Sequence, residues 1–95
     1  MSKDDKKFDN AVYIGKRPTM NYVSAVMMIL NKGENCVIKA RGRRISHAVD
    51  VAEITLNKFF PTAKYKDIRI STEVLSNKDG SKTNVSAMEI EISPN

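Results

Sequence analysis

Apolar positions recur at helical spacing in two stretches of the chain and alternate with polar ones near its end. Ala11 to Gly15 (AVYIG) is a short β-prone run closed by glycine and predicts a strand. Lys16-Arg17-Pro18 predicts a loop, with Pro18 suited to a helix entry and Thr19 placed as an N-cap. From Met20 to Asn31 the residues Val23, Val26, Met27 and Leu30 fall at i, i+3, i+4 and i+7. Tyr22 and Ile29 widen that stripe, and Lys32-Gly33 is a stop in which glycine takes the left-handed position. Cys36 to Ala40 (CVIKA) predicts a second strand.

A second helix follows over roughly 45–59. Ile45, Ala48, Val49, Ala52, Leu56 and Phe59 share one face at helical spacing, and Pro61 disfavours helical geometry at Phe60. Val51 and Ile54 lie on another face. They form either a surface for a protein contact or the margin of a wide core stripe. Tyr65 to Val74 then alternates, with Ile68, Ile70, Thr72 and Val74 opposite Asp67, Arg69, Ser71 and Glu73. Asn84 to Ile92 does the same, with Met88, Ile90 and Ile92 opposite Glu89 and Glu91. Asp79-Gly80 between them is a turn signal, so the last third predicts a long antiparallel hairpin with a basic, polar tip. The order is β-α-β-α-β-β. Each helix links two strands, which predicts an α/β fold built as an α+β two-layer sandwich.

Composition narrows the classes. The chain has 95 residues, 41% of them apolar and 28% charged, which suits one domain at 11–95. Residues 1–10, with charges that nearly cancel, predict a mobile arm. One cysteine excludes an internal disulfide framework. One cysteine with one histidine argues against a Cys/His zinc site, so neither metal nor other cofactor is expected. The charged start is unlike a signal peptide. The longest near-apolar run, Val23 to Leu30, is far below the roughly 20 residues of a membrane span, so a cytoplasmic protein without a membrane partner is expected.

Sixteen Lys and Arg against eleven Asp and Glu give a net charge of +5, and its distribution matters more than its size. Lys39, Arg41, Arg43 and Arg44 place four cations in six residues at a strand-to-helix junction. A helix start offers unpaired N–H groups, the arginines add bidentate donors, and Gly42 permits close backbone approach: this is the chemistry of a phosphate site. Lys16 and Arg17 occupy the corresponding position after the first strand, and the two loops share an edge if those strands are neighbours. Lys78 and Lys82 flank the hairpin tip, where a basic arm suits a groove or a phosphate track. Catalytic groupings are thin. His47 and Asp50 are one helical turn apart, Cys36 sits in an apolar strand, and Glu89 and Glu91 read as a solvated sheet face. No enzyme is expected.

Tyr13-Ile14-Gly15-Lys16-Arg17-Pro18 followed by Met20-Asn21-Tyr22-Val23 closely resembles the opening of the Alba family of small basic archaeal chromatin proteins. Val37 to Arg43, Ile45-Ser46, Ala48-Val49-Asp50 and Asn84-Val85-Ser86 continue the resemblance, which spans about 11–92 in order. It implies a β-α-β-α-β-β fold similar to the C-terminal domain of a bacterial translation initiation factor. It implies non-sequence-specific binding of double-stranded DNA, and of RNA, by a homodimer or a heterodimer with a paralogue. Higher-order assembly on DNA, chromosome compaction and a chromosome-associated location come with it. The residues it assigns to nucleic acid are Lys16, Arg17, Arg41 and Arg43; the basic pattern adds Lys39, Arg44, Lys78 and Lys82, and Asn21 and His47 are expected beside them. Lys16 matches an acetylation target, and acetylation would remove its charge. Phe59 matches a position of dimer–dimer contact, which joins Val51 and Ile54 as expected interface residues. Arg44 stands where relatives commonly carry a small residue, and His47 where Lys or Arg is common. The competing readings are an RNA chaperone within a ribonucleoprotein and a protein-interaction scaffold.

Overall fold

The computed structural model describes residues 10–95. The arm expected at 1–10 therefore lies, apart from Asn10, outside the described residues. Four strands and two helices follow in the expected order: β1 (Ala11–Tyr13), α1 (Thr19–Asn31), β2 (Cys36–Arg41), α2 (Ile45–Ile54), β3 (Lys64–Ser76) and β4 (Lys82–Ser93). The sheet order is β1-β2-β4-β3. β1 runs parallel to β2, while β2–β4 and β3–β4 are antiparallel.

Both helices pack on one face of this sheet. α1 buries Tyr22, Val23, Val26, Ile29 and Leu30, the widened stripe expected for it. It starts one residue earlier than expected, at Thr19, with Pro18 in the cap position. The Thr19 hydroxyl therefore does not cap the helix but turns to His47. Gly33, at φ 81°, terminates α1 as anticipated. From the sheet, Val12, Cys36, Ile38, Ala40, Ile90 and Ile92 close the core. Burial pushes the Cys36 thiol up to about 12, so it stays protonated and packs as a small apolar group.

The second helix departs from the pattern reading. Its buried residues are Ala48, Val51, Ala52 and Thr55, spaced i, i+3, i+4 and i+7. Val51 is 0% exposed and Ile54 packs against the core, so Val51 offers nothing to a partner and the separate apolar face through these two residues does not form. Val49, assigned to the core by spacing, is 40% exposed instead. The cause is Thr55: its hydroxyl donates to the Val51 carbonyl at 2.8 Å, so a polar residue enters the core satisfied and the stripe rotates toward it. Beyond it the chain widens into a π-turn, Thr55–Phe59, closed by Phe60 N–H to the Thr55 carbonyl at 2.8 Å. The extra residue in that turn breaks the helical phase and leaves Phe59 41% exposed, away from the face it was expected to share.

The hairpin is longer than its pattern suggested and only half supported. β2 pairs with β4 from Ala87 to Ile92; beyond that, Thr72–Ser76 and Lys82–Ser86 pair only with each other. Five residue pairs carry this arm about 17 Å past the body. Its tip is ordered by hydrogen bonds. Asn77 Nδ2 donates to Ser81 Oγ and Thr83 Oγ1, each at 2.9 Å, and Gly80 takes φ 91°. The Ser81 hydroxyl and N–H both donate to Asp79 Oδ1 and hold that carboxyl below its ordinary range. The alternation in β3 is as expected, but its apolar face is uncovered: Ile68, Ile70 and Val74 are 53%, 75% and 58% exposed. The helices pack mainly across β2 and β4; α2 meets the start of this edge strand, where the Tyr65 hydroxyl donates to Glu53, and leaves Ile68, Ile70 and Val74 exposed.

The rotated α2 stripe gives a stability contrast. Val51→Ala should cost about 2 kcal/mol through lost burial and a cavity. Val49→Ala should stay within about 0.5 kcal/mol. Urea denaturation measures both, and equal effects would contradict this assignment of the core.

Candidate functional site

Parallel pairing of β1 with β2, in the register Tyr13 to Lys39, sends both strands toward the same end of the sheet. The loop after β1 carries Lys16 and Arg17, both exposed. The loop after β2 is a short 3₁₀ turn, Gly42–Arg44. The condition set on sequence grounds is met: the two basic loops share an edge.

Each loop has a specific reason for its shape. The Tyr22 hydroxyl, from inside α1, accepts the N–H of Gly15 at 2.8 Å and of Arg17 at 3.0 Å. Gly15 passes so close that a Cβ there would stand 3.4 Å from that oxygen. The Tyr22 ring packs edge-on against His47, centroids 5.6 Å apart, and His47 Nε2 shares a 2.9 Å hydrogen bond with Thr19 Oγ1. The first loop, the start of α1 and the first turn of α2 are thereby tied together. At the second loop Gly42 has φ 54°, a left-handed conformation that turns β2 into the helix, with Arg43 exposed and Arg44 half-buried beyond it. Asn21 is exposed in the first turn of α1, which carries no side-chain cap hydrogen bond. The helix start therefore keeps N–H groups for an anion.

The expected residues do not all act alike. Lys16, Arg17, Asn21, Arg43 and Arg44 gather at the edge. His47 is half-buried and its ring is engaged by Tyr22 and Thr19, so it positions the loops rather than projecting from them. Lys39 stands on the sheet face without helices, where Tyr13, Lys39, Glu89 and Arg69 form one row across all four strands. Its ammonium lies 3.4 Å from Glu89 and 5.6 Å from the Tyr13 ring centre. Arg69 bridges Asp67, Glu89 and Glu91. Burial draws the Glu89 carboxyl upward, but Arg69 and Lys39 outweigh it and hold the group below its ordinary value. Arg41 pairs with Glu73 of the arm, Nε to Oε1 at 2.9 Å. Lys78 and Lys82 sit at and beside the arm tip, away from the edge cluster.

Sequence reasoning missed three partners: the Tyr22 hydroxyl, read only as packing, the Thr19–His47 bond, and Glu73 against Arg41. None has a local signal, because each joins residues from different elements.

Comparison with known proteins identifies the family to which this fold belongs. The sequence profile of the Alba family matches residues 10–72. The chain is 55% identical over 86 residues to the DNA/RNA-binding protein Alba of Thermoplasma volcanium, covering 90% of this chain and 96% of that one. The chain belongs to the Alba family. A second Alba relative, DNA/RNA-binding protein Alba 1 of Archaeoglobus fulgidus, is 53% identical over 86% of this chain and 92% of its own. The solved structure of Alba from Thermoplasma volcanium superposes with a TM-score of 0.82 at 53% identity, over 88% of this chain and 99% of that one. Alba1 from Trypanosoma brucei gives 0.71 at 26% identity, over 90% of this chain and 68% of that one. The fold read from the residue pattern is thus the Alba fold, and the edge with two basic loops is built on it.

Glu73 withholds Arg41 from outside anions. Exposed ion pairs are worth about 0.2–1 kcal/mol. Glu73→Gln should therefore raise affinity for inorganic polyphosphate, by up to about fivefold by calorimetry. An unchanged affinity would mean that the pair does not restrain Arg41.

Proposed function

We propose that this chain binds double-stranded DNA, and also RNA, without sequence preference, by laying the phosphate backbone along the edge formed by the two basic loops. The observation that carries the reading is the convergence of Lys16-Arg17 and Gly42–Arg44 on one edge through the parallel β1–β2 pair. The names of the relatives, DNA/RNA-binding protein Alba, agree with it. Cations there neutralise phosphates and release counterions, which supplies affinity without reading bases. The arm, with Lys78 and Lys82 at its end, extends the contact toward a groove. Binding of this kind needs no catalytic group. Chromosome architecture and a chromosome-associated location follow from it, and acetylation at the exposed Lys16 would weaken it by removing a charge.

The working unit is a homodimer. Ile68, Ile70 and Val74 form an uncovered apolar stripe on an edge strand. Ile45 of α2 and Ile70, Thr72 and Ser86 of the hairpin line one hollow beside it. A second copy presenting the same stripe would cover both, in the self-complementary way of a two-fold interface. Phe59, exposed on the far end of the helical layer, is free for contact between dimers.

Two measurements test these statements. In fluorescence anisotropy with unrelated duplex sequences, Lys16→Ala and Arg43→Ala should weaken binding equally across sequences. Each should reduce the salt slope by roughly one unit. A loss confined to one sequence would overturn the non-specific mechanism. Ile70→Glu should convert a dimer to a monomer by sedimentation equilibrium; a monomeric unaltered chain, or a dimeric variant, would overturn the interface.

A further inference from the structure

On the sheet face without helices, between the basic edge and the foot of the arm, lies a depression of about 440 Å³. Small-ligand clefts span roughly 300–1,000 Å³. Ala87, small and buried, lies in its floor, across from Arg41 on one side and Ser71 on the other. Tyr13, Lys39 and Glu89 wall one side, and Arg41, Glu73 and Arg44 wall the other.

We propose that this depression seats one unpaired nucleobase of single-stranded RNA, guanine in preference to uracil, while the neighbouring phosphates stay on the basic edge. The proposal rests on the nucleic-acid reading above and deepens it. Continuity is the first argument. Arg44 belongs both to the wall and to the turn that forms the basic edge, and Arg41 of the wall adjoins that turn, so a strand whose phosphates follow the edge carries its bases past the opening. The second is the aromatic wall. Tyr13 is 52% exposed, and unstacked bases settle on tyrosine rings and guanidinium planes.

The third argument is the donor–acceptor set. Glu73 accepts from Arg41 through Oε1, and a carboxylate has about four lone-pair sites, so acceptor capacity remains beyond that bond. Guanine presents N1–H and the N2 amino group side by side, matching the two oxygens of a carboxylate, and its O6 meets the donors of Lys39 or Arg41. Uracil offers a single N–H between two carbonyls, which a carboxylate repels. A paired base has these edges occupied by its complement and cannot enter, so the seat separates single strands from duplexes.

The test uses uracil strands of about ten nucleotides, with and without one central guanine, beside a duplex DNA, in one buffer. Anisotropy should show the guanine strand bound about tenfold tighter than the all-uracil strand. Ala87→Leu, which fills the floor, and Tyr13→Ala, which removes the stacking wall, should each bring the two strands to about the same affinity and leave the duplex affinity unchanged. Circular dichroism melting establishes that each variant folds; if Ala87→Leu does not, Tyr13→Ala decides. Equal binding of the two strands by the unaltered chain overturns the seat and leaves duplex binding standing, as does a guanine preference that survives in a folded variant. A guanine strand bound while the duplex is not would uphold the seat and overturn the duplex reading. Binding of neither overturns both.

Discussion

Three residue pairs join β1 to β2 in parallel, from Ala11 with Val37 to Tyr13 with Lys39, and the basic edge depends on them. A parallel pair cannot be closed by a tight turn; it needs a crossover, and α1 supplies it. The crossover carries the chain back to the starting end of the sheet, so the loops leaving β1 and β2 emerge at the same end. An antiparallel pairing of the same two segments would have put Lys16-Arg17 and Arg43-Arg44 at opposite ends. The packing of α1 and α2 on one face then brings their starts together, and the Tyr22, Thr19 and His47 contacts fix the spacing between the two loops. Held loops lose less freedom on meeting a polyanion than floppy ones, so on the proposed binding mode these part-buried contacts would contribute without touching a ligand.

The order of elements, the core stripe of α1, the hairpin turn and the two basic clusters were legible in the sequence because each rests on local spacing. The rotated stripe of α2 was not. A stripe counted from apolar residues passes over Thr55, whose place in the core depends on the hydroxyl's bond to the Val51 carbonyl, invisible to a hydropathy pattern. The same omission produced a second apolar face from Val51 and Ile54. The shift of Phe59 out of phase comes from the π-turn, which no residue in 55–59 announces. At the site, the positions of Lys16, Arg17, Arg43 and Arg44 were legible as loop cations, and the resemblance to the Alba family named most of them. Lys39 was grouped with them by proximity in sequence. Strand alternation places it on the open face beside Glu89, a partner fifty residues away.

Charge on this molecule is sorted by element. The loops carry cations with few acids near them, while the open sheet face pairs its cations with acids from β3 and β4. The pairing limits how far a polyanion spreads over the protein. On the proposed binding mode, phosphates would meet the edge, where no ion pair holds Lys16, Arg17, Arg43 or Arg44 among the described residues, in preference to a face already neutralised in local pairs. Arg41 lies on the boundary between the two regimes. It ends β2, adjoins the 3₁₀ turn and is held by Glu73 from the arm.

That boundary position links the arm to the edge. The arm beyond Ala87 has no supporting strand, so the Arg41–Glu73 pair is a contact between the free part of the hairpin and the body. Both side chains are about half exposed, and an ion pair of that kind is weak enough for a phosphate to displace. On the proposed duplex binding mode, a duplex phosphate that reached Arg41 would compete with Glu73 for its guanidinium and loosen this tie between arm and body. An arm loosened in this way would adjust to the groove it met, whether the deep narrow minor groove of one duplex form or the wide shallow one of the other. A rigid edge combined with an arm whose restraint is weak is the arrangement that the proposed tolerance of both DNA and RNA requires.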